Sequence, residues 1–279
     1  MPPRLTQASA PLTRWVSACD ESGVRREIAI PAERALTLYV DKRELVTLMT
    51  LGQHPEWLVL GWLRNQRLIA SVDEIEAISV DWEVGAAAVK TRGGIDRIEQ
   101  RTARHVVTTG CGQGSVFGGL MDEVDAIELE AGVYLRQSEL YQIVRRIREQ
   151  DSVYKLSGSV HGCALFRGAE LLLFVEDVGR HNAVDTIAGW MWLQQPLMMG
   201  TDKTFYTTGR LTSEMVIKSA QMGVPVAVSR SGMTQMGQAV AEQVGLCAIG
   251  RATNQRFLCF SHPQRLLRDV APGSGAAVL

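Results

Sequence analysis

No stretch of this 279-residue chain approaches the roughly 18 consecutive apolar residues that a membrane-spanning helix needs, so no membrane partner is expected. An excess of either charge is also missing. A net charge of −1 gives no general attraction to nucleic acid or to an anionic surface, and any anionic ligand must be held by a local cluster of cations. Cysteine is scarce. Cys19, Cys111, Cys163, Cys247 and Cys259 are odd in number and irregularly spaced, and no secretory apolar segment precedes them. That pattern excludes a disulfide framework and points to a reducing, cytoplasmic setting. Internal repeats are absent as well. What is present is 46% apolar content, enough for one large domain or two smaller ones.

The first 19 residues hold no acidic residue and include Arg4 and Arg14, a composition compatible with a transit peptide. Pro2, Pro3 and Pro11 favour the plainer expectation, a disordered tail over residues 1–22. From Arg25 to Val40, apolar Ile28, Ile30, Leu36, Leu38 and Val40 alternate with polar positions, which predicts a hairpin. A helix is expected over Thr50 to Leu63, entered at His54-Pro55-Glu56, with strands at Ile75 to Val80 and Ala86 to Val89. Five glycines in the ten positions Gly110 to Gly119 predict an irregular exposed loop.

Beyond Glu123 the texture changes. Leu135, Leu140, Ile143, Val144 and Ile147 recur at helical spacing, with Ser138 able to cap that helix. Strands are then expected at Leu171 to Val175, Thr204 to Thr208, Val224 to Ser229, Leu246 to Ile249 and Phe257 to Phe260. Helices fall between them at Asn182 to Trp192, Thr212 to Met222 and Thr234 to Val244. Such alternation predicts βαβ units. The fold class is therefore α/β, an α+β N-terminal domain over 23–130 followed by a layered α/β domain over 131–262 and a C-terminal tail over 263–279.

Three strand exits in the second domain carry the same residues: Gly179-Arg180-His181, Gly209-Arg210 and Ser229-Arg230-Ser231. Parallel strands put their carboxyl ends on one side, so these arginines are expected to converge on an anion. Guanidinium groups grip phosphate oxygens in pairs, and the amides of Thr212 and Ser213 open a helix whose dipole favours negative charge. Asp177 and Asp185 could accept N–H donors from a base edge such as guanine. Any one of these arginines alone reads better as a solvated residue, and the threefold repetition reverses that. His181 reads as a hydrogen-bonding neighbour rather than a catalyst, with Asn182 capping the next helix. Glu176 and Asp177, adjacent on a strand, point to opposite faces and do not form an acid–base pair.

Cys111 lies in Thr108-Thr-Gly-Cys-Gly-Gln-Gly114, where flanking glycines leave its sulfur unshielded and near backbone N–H groups, with Arg104 and His105 upstream to stabilise a thiolate. Sulfur transfer needs such a thiol. Cys247 and Cys259, among strand-like neighbours, read as buried and inert.

The decapeptide Glu176-Asp-Val-Gly-Arg-His-Asn-Ala-Val-Asp185 resembles the central signature of the FdhD/NarQ family. His54-Pro-Glu56, Leu60-Gly61, Ser157-Gly-Ser-Val-His-Gly-Cys-Ala-Leu165, Thr208-Gly-Arg-Leu-Thr-Ser-Glu-Met215, Ser229-Arg-Ser231, Ile249-Gly250 and Arg256-Phe257 also match in the family's order. The resemblance runs from about Arg25 to Phe260. It implies an accessory sulfurtransferase that accepts sulfur as a persulfide on Cys111 from a cysteine desulfurase. The sulfur then passes to the molybdenum cofactor, a bis-molybdopterin guanine dinucleotide bound as substrate, for a formate dehydrogenase or related molybdoenzyme. The resemblance further implies a cytidine-deaminase-like α/β domain, a homodimer, and a cofactor-binding stretch at Arg251, Ala252, Thr253, Asn254, Gln255 and Arg256, a site that could also take GDP- or GTP-like nucleotides.

The chain departs from the family at one position. The family's loop carries Cys-Gly-x-Cys, and Gly114 stands here at the second cysteine, so no two-cysteine relay operates within the loop. Cys163 is a candidate for the missing partner. The departure keeps open a non-catalytic chaperone for the cofactor or for guanine nucleotides. A zinc-dependent deaminase, suggested by His161, lacks its glutamate, since position 163 is cysteine, and no Pro-Cys-x-x-Cys follows.

Overall fold

The computed structural model describes residues 2–95, 124, 127–194 and 202–270. In chain order its strands are β1 (Arg4–Leu5), β2 (Thr13–Cys19), β3 (Arg25–Pro31), β4 (Arg34–Val40), β5 (Arg43–Thr50), β6 (Ile75–Asp81), β7 (Ala86–Thr91), β8 (Leu135–Arg136), β9 (His161–Arg167), β10 (Glu170–Asp177), β11 (Lys203–Thr207), β12 (Val226–Ser229), β13 (Cys247–Thr253), β14 (Arg256–Cys259) and β15 (Leu266–Leu267). Its helices are α1 (Pro55–Asn65), α2 (Gln137–Glu149), α3 (Val153–Ser157), α4 (Arg180–Leu193), α5 (Ser213–Gln221) and α6 (Gln235–Val244). The described residues form two compact units, one of 2–95, 151–162 and 175–194, the other of 124, 127–150, 163–174 and 202–270.

The first unit is built on a five-stranded sheet of order β1-β6-β7-β4-β5. Strands β4 and β5 pair antiparallel through a turn in which Asp41 and Lys42 both have positive φ, the geometry a two-residue hairpin turn demands. Alternate residues of β4, Leu36, Leu38 and Val40, meet Leu58, Val59, Trp62 and Leu63 of α1 in one apolar cluster. Each such buried side chain stabilises the fold by about 1.5–3 kcal/mol. Pro55 stands at the start of α1 and His54 at its N-cap, as the motif predicts.

Three expectations change here. Residues 2–22, expected within a disordered tail over 1–22, are ordered. β1 pairs in parallel with β6, β2 pairs with β3, and buried Glu56 anchors the segment by accepting from the Thr6 hydroxyl at 2.6 Å and the Ala8 N–H at 2.7 Å. Strands β3 and β4 do not form a hairpin with each other, because β3 pairs with β2 in a separate ribbon while β4 joins the larger sheet. The units also do not follow one border near residue 131, since 151–162 and 175–194 return to the first, where α4 lies against α1.

The second unit carries a six-stranded sheet of order β10-β9-β11-β12-β13-β14, of which β9 and β10 each have one end in the first unit. Strands β11, β12 and β13 are parallel, as the βαβ pattern predicts, while β9 and β14 run antiparallel to their neighbours and make the sheet mixed. One face presents Ala164, Phe166, Tyr206, Val226, Val228, Cys247 and Ile249 at every second position, against which α2 sets Leu140 and Ile143. Ser138 does not cap α2 with its side chain. Its N–H and hydroxyl both donate to Asp269, while Glu139 accepts from the Arg136 N–H. The expected C-terminal tail is ordered as far as 270, because Leu266 pairs with Leu135 and Arg265 donates to the carbonyl oxygens of Gly245 and Glu130. Residues 271–279 lie outside the described residues.

Candidate functional site

The carboxyl ends of β11 and β12 lead into turns stitched together by hydrogen bonds. The buried Ser229 hydroxyl donates to the Gly209 carbonyl oxygen at 2.6 Å and accepts from the Ser231 N–H at 2.9 Å, while the Ser231 hydroxyl donates to the Thr208 carbonyl oxygen at 2.9 Å. The Arg230 N–H reaches the Thr207 carbonyl oxygen at 3.1 Å and the Arg251 N–H the Ser231 carbonyl oxygen at 2.7 Å. Gly250 permits this approach, since a Cβ there would stand 2.8 Å from the Phe260 ring and 3.1 Å from the Ser231 carbonyl oxygen. The result is one edge from which Arg210, Arg230 and Arg251 extend, all exposed. Their guanidinium groups suit a phosphate or pyrophosphate. The α5 N-terminus follows Arg210 by three residues, although the Thr212 amide is not free and donates to the Arg210 carbonyl oxygen at 3.2 Å.

Beneath this edge Tyr206 is buried, and that burial pushes its phenol up to about 12 against the opposing effect of Arg230. Cys163 is wholly buried, with its Sγ 3.4 Å from the Thr207 hydroxyl. A thiol enclosed there cannot take the place of the missing loop cysteine in a reaction with an outside partner.

The stretch from Arg251 to Arg256 forms the end of the β13–β14 hairpin. Thr253 and Arg256 pair across a turn formed by Asn254 and Gln255, with Asn254 at positive φ. Arg251, Thr253, Asn254, Gln255 and Arg256 are exposed, but Ala252 is 1% exposed and belongs to the apolar core, so it is corrected from ligand contact to packing.

Arg180 and His181 do not form a polar turn. Helix α4 starts at Arg180 with Gly179 as N-cap, and both residues are buried in its first turn within the first unit. Asn182 is not the cap either, and its amide donates to Asp177 at 2.9 Å and to the Met49 carbonyl oxygen at 2.7 Å. Asp177 also accepts from the Thr50 hydroxyl and from the N–H groups of Leu51 and Gly179, while Asp185 accepts from the Asn65 amide at 2.6 Å. Glu176 accepts the N–H groups of Val153 and Tyr154 at the start of α3. These carboxylates hold the first unit together rather than facing a ligand. Burial pushes the carboxyls of Glu176 and Asp177 up from their ordinary values.

Cys111 lies outside the described residues. Cys247 is buried as expected, whereas Cys259 is only half-buried, and their sulfurs lie 3.8 Å apart. The Cys247 proton shared with its neighbour holds the half-buried Cys259 thiol down to about 7, and Cys247 itself is pushed up. The deaminase reading finds no group of three or more His, Cys, Asp or Glu able to hold a metal among the described residues.

Comparison with known proteins agrees with the motifs. The sequence model of the FdhD/NarQ family matches residues 31–267. The chain is 28% identical over 244 residues to the sulfur carrier protein FdhD of Geobacillus kaustophilus, covering 88% of this chain and 92% of that one. With the sulfur carrier protein FdhD of Bacillus pumilus it is 29% identical over 241 residues, covering 84% and 88%. A crystal structure from Desulfotalea psychrophila, described as that of a formate dehydrogenase accessory protein, is similar at a TM-score of 0.75 and 25% identity over 92% of this chain and 100% of that one. The chain belongs to the FdhD/NarQ family.

Proposed function

We propose that this protein is a sulfur carrier for formate dehydrogenase maturation. The family match over residues 31–267, in a chain that retains the loop cysteine Cys111, carries this reading. A cysteine desulfurase presents a persulfide, and the Cys111 thiolate attacks its terminal sulfur. One S–S bond forms as another breaks, and the donor's cysteine leaves as a thiolate. The Cys111 persulfide then gives its outer sulfur to molybdenum in the bis-molybdopterin guanine dinucleotide, which is substrate: the S–S bond breaks, Cys111 returns as a thiolate, and the two electrons that convert sulfane sulfur to sulfide come from the reduced metal. The edge of Arg210, Arg230 and Arg251 supplies cations for its pyrophosphates, and Thr253 to Arg256 supply polar contacts beside it. A homodimer in the cytoplasm, where thiols stay reduced, completes the reading.

The test is mass spectrometry after incubation with desulfurase and cysteine. One sulfur, about 32 Da, is expected on the Cys111 peptide. Loading that persists undiminished in Cys111→Ala overturns the assignment.

Gly114 in place of the family's second cysteine favours a second reading, a chaperone that binds the cofactor or guanine nucleotides without sulfur transfer. Restoration of formate dehydrogenase activity by Cys111→Ala in cells lacking the native protein selects it over the carrier.

A further inference from the structure

Cys247 opens β13 and Cys259 closes β14. Cys259 lies opposite Ile249, two residues beyond Cys247, so the two side chains share one face of the sheet as diagonal neighbours. Their sulfurs stand 3.8 Å apart. A disulfide bond measures about 2.05 Å, so the sulfurs must close by about 1.8 Å, a movement that side-chain rotation about a Cα–Cβ bond supplies. Spacing in the sequence places both cysteines on strands and leaves their pairing open; the hairpin brings them together. Access separates their roles. Cys247 is wholly buried in the apolar cluster with Leu140 and Ile143 of α2, while Cys259, on the last strand of the described sheet, is half-buried. An outside reactant meets Cys259, and Cys247 is placed to meet only Cys259. The surrounding charges agree. The Cys247 proton and Arg268, which lies over the Phe257 ring at 5.6 Å, favour a thiolate on Cys259 against burial and Glu242. Cys247 keeps its proton through the bond to Cys259 and through burial, with Arg265 opposing.

We propose that Cys247 and Cys259 are a redox site, a dithiol that a hydroperoxide converts into a reversible disulfide. The Cys259 thiolate attacks one peroxide oxygen. An S–O bond forms as the O–O bond breaks, and with hydrogen peroxide the departing hydroxide takes up a proton and leaves as water, so Cys259 becomes a sulfenic acid. The Cys247 sulfur then attacks the Cys259 sulfur. The S–S bond forms, the S–O bond breaks, and the departing hydroxyl leaves as a second water with the Cys247 proton. Each cysteine has given one electron and the peroxide has gained two. Exchange with a small dithiol returns both thiols. A hydroperoxide suits a half-buried sulfur because it is small, whereas a protein disulfide needs a wider approach. The site uses no step of the carrier reading and does not involve Cys111.

The test treats the reduced full-length protein with hydrogen peroxide at about pH 7, blocks remaining thiols with N-ethylmaleimide in denaturant, and digests it without reductant. A peptide joining Cys247 to Cys259 is expected, about 2 Da lighter than the two thiol peptides together, and dithiothreitol should abolish it. In Cys247→Ala, dimedone should trap a sulfenic acid on Cys259 that the unaltered protein does not accumulate. Cys259→Ala should leave Cys247 unoxidised. The peptide map of the unaltered protein decides the matter even where a variant fails to fold. Both thiols remaining free after peroxide, Cys259 joined instead to Cys19 or Cys111, or the joined peptide forming as fast in urea-unfolded protein as in folded protein would each refute the site.

Discussion

Gly61 of α1 and Gly189 of α4 face each other backbone to backbone. A Cβ on Gly61 would stand 1.7 Å from the Asp185 carbonyl oxygen and 2.8 Å from the Gly189 nitrogen; one on Gly189 would stand 2.0 Å from the Trp57 carbonyl oxygen. The helices approach to where only hydrogen fits, and Asp185, held by Asn65, sits at the same crossing. The family's Leu60-Gly61 motif therefore marks a helix contact, which draws the signature helix α4 into the first unit.

Alanine at either glycine should destabilise the protein although alanine favours helix by up to about 1 kcal/mol. The added methyl meets rigid backbone, and overpacking of this kind costs about 1–3 kcal/mol or more. Urea unfolding followed by tryptophan fluorescence checks it, since Trp57 and Trp190 stand near the crossing, 6.5 Å apart. An unfolding midpoint equal to or above that of the parent contradicts the close contact.

The raised carboxyls of Glu176 and Asp177 set a direction for pH dependence. Each holds its proton more tightly in the folded chain than in the unfolded one, chiefly through burial. Their contribution is fully present below the ordinary carboxylate range, near pH 4, and is lost as pH rises toward the folded values. Stability should therefore fall above about pH 4 in this respect, and Glu176→Gln should flatten that fall. Urea midpoints across this range decide the matter; identical slopes in both proteins would contradict the assignment.

Cys259 should be reactive near neutral pH. Its thiol is held down to about 7 by the Cys247 proton, so alkylation of its peptide should rise to half its plateau rate near that pH. Cys247→Ala should move that midpoint upward toward the ordinary thiol value. Buried Cys247 and Cys163 should label only on unfolding. A Cys259 midpoint unaffected by Cys247→Ala would exclude the shared proton.

Local pattern carried much of the fold. Proline before glutamate located α1, and apolar runs between glycine-rich turns located β11, β12 and β13 with the helices between them. β9 was missed because its run, His161 to Arg167, follows directly on a polar motif and pairs antiparallel with β11 at the side of the parallel strands β11, β12 and β13. β1 and β2 were missed because their prolines and basic residues suggest a tail, and only pairing with β6 and β3 orders them. Of the three arginine turns, those of Arg210 and Arg230 are neighbours, and Arg251 joins them through its own backbone bond to Ser231.

The sequence by itself determined the family and the α/β class and supplied the loop cysteine proposed to carry sulfur, because these rest on residue identity and short-range periodicity. Tertiary structure alone decided which polar residues remain available to a ligand. Arg180, His181, Asp177 and Asp185 share the signature's chemistry with Arg210 and Arg230, but the packing of α4 buries them. Burial depends on partners more than a hundred residues away, such as Thr50 for Asp177 and Asn65 for Asp185, and no local pattern encodes that distance.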